Sequence, residues 1–285
     1  MKKISTILCM ALCSTMAMGS ASYNPTSMKV TSTERIVSKK EATIKKTVIY
    51  NSNGIKITAK SLDNGWLGTD LKLLIENNSG DSIIVQARNS SVNGYMIETM
   101  MSEEVTNGKK ANTDLTFSKT EMEKSGIKEI ANLEFSLVII NPDSFDNIAE
   151  TDMIKINTSL AKGFKQKYDD SGKVLLDQDG IKIVSKGIEN DSILGPGILL
   201  YMENNTDHDI IIQTRDVSIN GFMVDAMFSE DITSGKKSVS SITFLSSDLE
   251  DNDIKKIKNA ELSFAIINPD NFQNYFESSA ISIKF

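Results

Sequence analysis

The series Ile83-Ile84-Val85-Gln86, Asn93-Gly94-Tyr95-Met96 and Gly108-Lys109-Lys110 returns 127 residues later as Ile210-Ile211-Ile212-Gln213, Asn220-Gly221-Phe222-Met223 and Gly235-Lys236-Lys237. Most differences across those 28 positions keep the chemistry, as in Tyr95/Phe222, Glu98/Asp225 and Glu104/Asp231. Self-similarity at a fixed period marks a repeated structural unit. The chain is therefore expected to fold as two copies of one plan.

On the N-terminal side, Thr47-Val48-Ile49-Tyr50 and residues 55–60 are alternating β-rich runs joined by Asn51-Ser52-Asn53-Gly54, the pattern of a hairpin. Further strands are expected at 71–76, 82–87, 95–101, 115–117, 133–140 and 153–156, and the second copy repeats their order from 181 to 283. Ser118 and Glu121 have capping-box spacing, which predicts a helical turn over 119–124. Seven or eight short strands with a turn signal about every ten residues describe a β-sandwich. The expected fold is all-β: two tandem immunoglobulin-like β-sandwich modules, 47–157 and 174–285, each with one short helical turn, joined by a linker at 158–173. The likeness to immunoglobulins is in architecture only, since neither copy has an inter-sheet cysteine pair and Trp66 falls before a strand.

The N-terminus reads as an address. Met1-Lys2-Lys3 is a positive start, 4–18 an apolar run too short to span a bilayer, and Gly19-Ser20-Ala21-Ser22 a small-residue cleavage site. Residues 1–21 are thus expected to be a secretory signal peptide. Both cysteines, Cys9 and Cys13, lie inside it, so disulfide, zinc and thiol chemistry leave with it. Residues 22–46 carry Lys29, Arg35, Lys39, Lys40, Lys45 and Lys46 against Glu34 and Glu41, with few large apolar residues, which predicts a flexible basic arm. No later apolar run is long enough to span a membrane, so the mature chain is expected to lack a transmembrane segment. The formal charge of −7 argues against nucleic acid, whose binding rests on neutralising phosphates with Lys and Arg.

Chemistry is sparse. His208 is the single histidine and its counterpart is Asp81, so the copies share no histidine triad or metal site. Glu103-Glu104 with Glu230-Asp231, and Asp143 with Asp270, are paired acids that could serve glycoside hydrolysis, but no aromatic platform accompanies them. Asp169-Asp170-Ser171-Gly172 and the acids of 248–253 lack the alternation of a calcium loop and read as solvated turns. Asn93-Gly94 and Asn220-Gly221 read as turn chemistry, and Gly108-Lys109-Lys110 as a basic turn without the rest of a phosphate loop. No catalytic, cofactor or metal residues are expected.

One pattern goes further. With period two, residues 95–101 put Tyr95, Ile97 and Met101 on a core face, matched by Phe222, Val224, Ala226 and Phe228. The opposite face carries Met96, Glu98 and Met100, matched by Met223, Asp225 and Met227. Methionines beside an acid there are either covered by another segment or form a soft contact surface. Met96, Met100, Met223 and Met227 are therefore the candidate partner patch.

Gly180-Ile181-Lys182-Ile183, Ile193-Leu194-Gly195-Pro196-Gly197, Tyr201-Met202-Glu203-Asn204-Asn205, the run 217–223 and Gly235-Lys236-Lys237 occur in order. In these motifs the chain resembles the secreted tandem immunoglobulin-like repeat proteins of clostridial-type Gram-positive bacteria, similar in turn to the immunoprotective extracellular-antigen type of β-sandwich. The resemblance covers both copies and implies an extracellular β-sandwich; it supplies no catalytic residue. At 67–70 the first copy reads Leu-Gly-Thr-Asp where the second reads Leu-Gly-Pro-Gly. The expected function is a secreted, non-enzymatic binding or adhesion protein of the cell envelope or extracellular medium, its partner a protein or an envelope polymer. An envelope hydrolase using paired carboxylates, or a structural spacer, are the alternatives.

Overall fold

A computed structural model describes residues 41–190 and 194–285. The expected leader and residues 22–40 of the expected arm lie outside the described residues. The first repeat runs β1 (Thr47–Ser52), β2 (Ile55–Asn64), β3 (Gly68–Asn77), β4 (Ile83–Val92), β5 (Tyr95–Met96), β6 (Thr99–Met100), β7 (Ser102–Val105), β8 (Lys109–Ser118), α1 (Lys119–Lys124), β9 (Asn132–Ile140), β10 (Asn147–Glu150) and β11 (Ile154–Asn157). The second follows the same order as β12 (Lys173–Gln178), β13 (Ile181–Glu189), β14 (Gly197–Asn204), β15 (Ile210–Ile219), β16 (Phe222–Met223), β17 (Ala226–Met227), β18 (Ser229–Ile232), β19 (Lys237–Phe244), α2 (Ser246–Asp251), β20 (Asn259–Ile267), β21 (Asn274–Glu277) and β22 (Ile281–Lys284). Every element of the first repeat thus has its counterpart in the second.

The fold is all-β with very little helix. A five-stranded sheet has the order β1-β2-β3-β8-β6, and a six-stranded sheet the order β16-β15-β20-β21 with β18 on β15 and β22 on β20. An eleven-stranded sheet runs β10-β9-β4-β5-β19-β14-β13-β12 and crosses from one repeat to the other. Within each repeat the pairing is antiparallel; the crossing is a single parallel bridge, Lys237 to Tyr95.

Side-chain alternation builds the cores. In β3, Leu71, Leu73 and Ile75 are fully buried while Asp70, Lys72 and Glu76 point the other way. They join Ile57, Val85, Phe117 and Phe135 in a first core fed by both sheets of that repeat. Ile183, Leu200, Ile212, Phe244 and Leu262 form the second core at matching positions. Turns repeat too. Asn93 and Asn220 have φ of 53° and 54° and are followed by glycines at 87° and 90°, the left-handed pair a tight hairpin turn needs. Asn77 and Asn204 are fully buried, and each side-chain amide bridges two backbone carbonyls, those of Asp81 and Val105 and those of His208 and Ile232.

Three expectations change. The strand expected over 95–101 is broken: β5 pairs with β4, whereas β6 pairs with β8 in a different sheet. Phe222, expected in the core, is 49% exposed, although its counterpart Tyr95 is 1% exposed. The last part of the expected arm, residues 41–46, is tied down, because Thr43 exchanges two hydrogen bonds with Ser159, 2.8 and 3.1 Å, and Ile44 packs against the first core.

Candidate functional site

The methionine patch leads to the joint between the repeats. Met96 is half-buried against the second core, and its sulfur accepts a hydrogen bond from Thr233 at 3.4 Å. Met100 and Met227 are half-exposed and Met223 is 67% exposed. One of the four is thus drawn into the joint while the other three face outward.

The joint is built from the two motifs that recur most conspicuously. Gly94 of the Asn-Gly turn accepts a hydrogen bond from the Lys237 backbone N–H at 3.0 Å. Beside it, Tyr95 stands edge-on to Tyr168 at 5.2 Å and to Tyr201 at 6.4 Å between ring centroids, in the T-shaped geometry aromatic pairs favour. Tyr201 is fully buried although its strand neighbours point into the second core, because the outer face of β14 is covered by the first repeat; it and Val184 belong to the first core. Burial pushes the Tyr95 hydroxyl up to about 12 and raises those of Tyr168 and Tyr201 above their ordinary value.

Charges close the rim. The Lys237 ammonium lies 4.5 Å over the Tyr168 ring. Lys236 meets Glu134 at 2.7 Å, with both side chains largely buried, and Lys124 meets Glu189 at 2.8 Å. Burial opposes the Glu189 charge, but hydrogen bonds from Lys124 and Ser241 outweigh it and hold its carboxyl below the usual range. The expected linker is part of this assembly. The Tyr168 hydroxyl donates to the Asn93 carbonyl at 3.0 Å, Asp169 pairs with Lys186 at 2.9 Å, and Asp170 pairs with Lys182 at 2.7 Å. Those two acids, considered for calcium, are held low by their partners, Asp169 by the Ser171 hydroxyl first and Lys186 next, and Asp170 by Lys182.

A polar cleft of about 750 Å³ opens along the joint, lined by Glu98, Glu121 and Glu230 among others. Ser118 caps α1 as expected, accepting from Glu121 N–H at 3.4 Å. The other half of the capping box is diverted, since the Glu121 carboxylate takes the Glu98 N–H instead of that of Ser118. Burial first, then the nearby charges of Glu98 and Glu230, push Glu121 up to about 7; burial also raises Glu230, against its hydrogen bond from Ser238. Glu103, the sequence partner of Glu230, does not line this cleft. His208 sits 3.0 Å from Asp207 with its ring 4.4 Å from that of Tyr275. No group of three or more His, Cys, Asp or Glu positioned for a metal occurs among the described residues. A separate cavity of about 650 Å³ lies beside α2, lined by Ile188, Leu249, Ile254 and Ile257.

The feature that escaped the sequence reading is a pair of phenylalanines. Phe145 and Phe272 are 75% and 74% exposed, each in the loop opened by Asn-Pro-Asp, and each has left-handed φ, 60° and 58°. Such a backbone is unusual for a bulky residue. Asn141 and Asn268 hold it: each carbonyl accepts from the Phe N–H at 2.9 Å, and each side-chain oxygen accepts from Asp143 or Asp270 N–H at 2.8 Å. The signal available was the fixed offset of the phenylalanine from the duplicated Asn-Pro-Asp. Trp66 is also almost fully exposed.

No family model matches the chain, and no curated protein matches it. Among solved structures, the crystal structure of YadV chaperone is similar over 76% of this chain and 92% of that chain, at 13% identity and a TM-score of 0.25, a likeness too low to bear on fold or function.

Proposed function

We propose that the chain is a secreted protein of two tandem immunoglobulin-like β-sandwich repeats that binds or adheres to a component of the cell envelope or extracellular medium and catalyses nothing. The observation that carries this reading is the duplicated loop that holds Phe145 and Phe272 outward on a strained backbone. Strain at an exposed residue persists only where surrounding hydrogen bonds enforce it, and it concentrates at sites of use. Ile148 and Tyr275, three residues on, are exposed as well and enlarge each apolar tip. Two like tips on one chain gain avidity for a repeating polymer or a clustered protein through effective concentration. The test is co-sedimentation of the secreted chain with isolated wall and membrane fractions at low and high salt. Salt-tolerant binding that disappears in Phe145→Ser/Phe272→Ser supports the reading; binding unchanged in that variant, or none at all, sinks it.

A second reading rests on Glu121 and Glu230 sharing one cleft with raised carboxyl affinities for protons, the condition of a general acid. Release of reducing sugars from wall material, lost in Glu121→Gln, would favour it over binding alone.

A further inference from the structure

The joint between the repeats uses one Asn-Gly-aromatic-Met turn and one Gly-Lys-Lys turn, yet the chain contains two of each. Asn93-Gly94-Tyr95-Met96 from the first repeat meets Gly235-Lys236-Lys237 from the second. Among the described residues, that leaves Asn220-Gly221-Phe222-Met223 on the second repeat and Gly108-Lys109-Lys110 on the first without the contact that occupies their counterparts. Space around the two glycines records the difference. A Cβ on Gly94 would meet the Tyr168 hydroxyl at 2.7 Å, whereas one on Gly221 would meet nothing within 4 Å.

We infer that the chain associates head to tail with further copies of itself, the turn at 220–223 of one copy seating against the turn at 108–110 and the outer face of β3 and β8 of the next. The internal joint is the template. Phe222 and Met223 are the exposed counterparts of Tyr95 and Met96. Glu261 stands where Glu134 does, and Lys109 where Lys236 does, so the 2.7 Å pair of the internal joint has both partners ready at the outer ends. Thr106 is placed to meet Met223 as Thr233 meets Met96.

Charge supports the match. A hollow of about 290 Å³ beside Met223 is lined by Asp225, Asp248 and Asp251. The receiving face carries Lys56, Lys60, Lys72, Lys109 and Lys110 against Asp63, Asp70, Glu76 and Asp114. An acidic donor end therefore meets a face with an excess of lysine.

The outer contact is weaker than the internal one. Thr58, Leu74 and Asn112 occupy the register positions of Val184, Tyr201 and Val239, so less apolar surface is offered. Asp251 and Asp63 also replace the bridged Lys124 and Glu189 with like charges. Association therefore appears as a concentration-dependent equilibrium. Because the two surfaces differ, it is heterologous and extends into rings or open chains and does not stop at a symmetric dimer. This inference stands independently of envelope binding.

The experiment is analytical ultracentrifugation of the full chain, recovered after leader cleavage, across about three decades of concentration centred near the micromolar range. The weight-average mass is expected to climb past that of a dimer. Phe222→Glu/Met223→Glu blocks one end and Leu74→Glu/Lys109→Glu the other. Phe222, Met223 and Lys109 are exposed and Leu74 is part-buried on the outer face of β3, outside the first core, so near-UV circular dichroism should match the parent. Each blocked chain alone should show association weakened about tenfold or more. Mixed, they should form a heterodimer and stop there. A parent that stays monomeric throughout overturns the proposal. So does a dimer that survives Leu74→Glu/Lys109→Glu, which would mean that the Phe222 surfaces pair with each other.

Discussion

Tyr95 and Phe222 occupy one position in two copies of the same strand plan, and one is sealed while the other stands in solvent. Nothing local separates them: both follow an Asn-Gly turn with the same left-handed backbone, and both precede a methionine. The difference lies in what is next door. The first repeat has the second to cover its turn, through Tyr201, Lys236 and Lys237, with Tyr168 of the connecting segment packed between. Among the described residues the second repeat presents the same surface with no cover. The comparison teaches that burial at a repeated position is set by its neighbour.

The sharpest way to break the comparison is to truncate the aromatic in each copy. Tyr95→Ala should cost about 3–5 kcal/mol by urea denaturation, the range for emptying an aromatic core site. Phe222→Ala should stay within about 0.5 kcal/mol, as surface changes do. Equal losses would mean the two turns are packed alike. A finer contrast uses the glycines. Gly221→Ala pays only the left-handed backbone penalty, about 1 kcal/mol. Gly94→Ala pays that and also pushes on the Tyr168 hydroxyl, so about 1 kcal/mol more is expected. Smaller again is the ion pair. A double-mutant cycle on Glu134 and Lys236 should give a coupling of about 1 kcal/mol, and one on Glu261 and Lys109 in dilute monomer should give none.

The pH dependence sharpens the picture of the cleft that only the internal joint encloses. Glu121 titrates near 7 in the fold against 4.5 ordinarily, so between those values the folded state holds more protons and stability rises as pH falls. Below that window the trend reverses, because Asp170 and Glu189 have depressed carboxyls in the fold and their contribution is lost as they protonate. The melting temperature should therefore peak near pH 5, on the order of 3 °C above its value at pH 8. Glu121→Gln should lower the slope of the limb above pH 5, leaving the part carried by Glu230, which burial also raises. A parent curve that rises from pH 5 to 8 would show that Glu121 is solvated.

Much of the strand plan was readable because it alternates or turns by local rules. Ile55 to Lys60, 133–140 and the Asn-Gly pairs lie where the pattern put them, and the helical turn occupies 119–124 as the Ser118/Glu121 spacing required. β10 and β21 were not readable, since Asn147–Glu150 and Asn274–Glu277 are short edges without alternation. Residues 95–101 look continuous by period two, but the chain changes sheets inside them, which hydrophobicity does not record. The joint was half legible. Its two motifs were found as repeats and explained as turns, which they are. That one turn binds the other depends on Tyr168 and Tyr201 arriving from elsewhere in the chain, and no periodicity announces that. Phe145 and Phe272 were hidden for a different reason: an exposed phenylalanine in a loop has no pattern beyond its recurrence.

The account turns on Tyr95 being held between Tyr168 and Tyr201. Nuclear Overhauser spectra of the aromatic protons, taken on dilute monomer, test this directly. We expect cross-peaks from the Tyr95 ring to both partners and none from the Phe222 ring to any residue of the first repeat. A Tyr95 ring without contacts to Tyr201 would mean that the repeats do not share this joint, and the reading of the unused turns as its copies would fall with it.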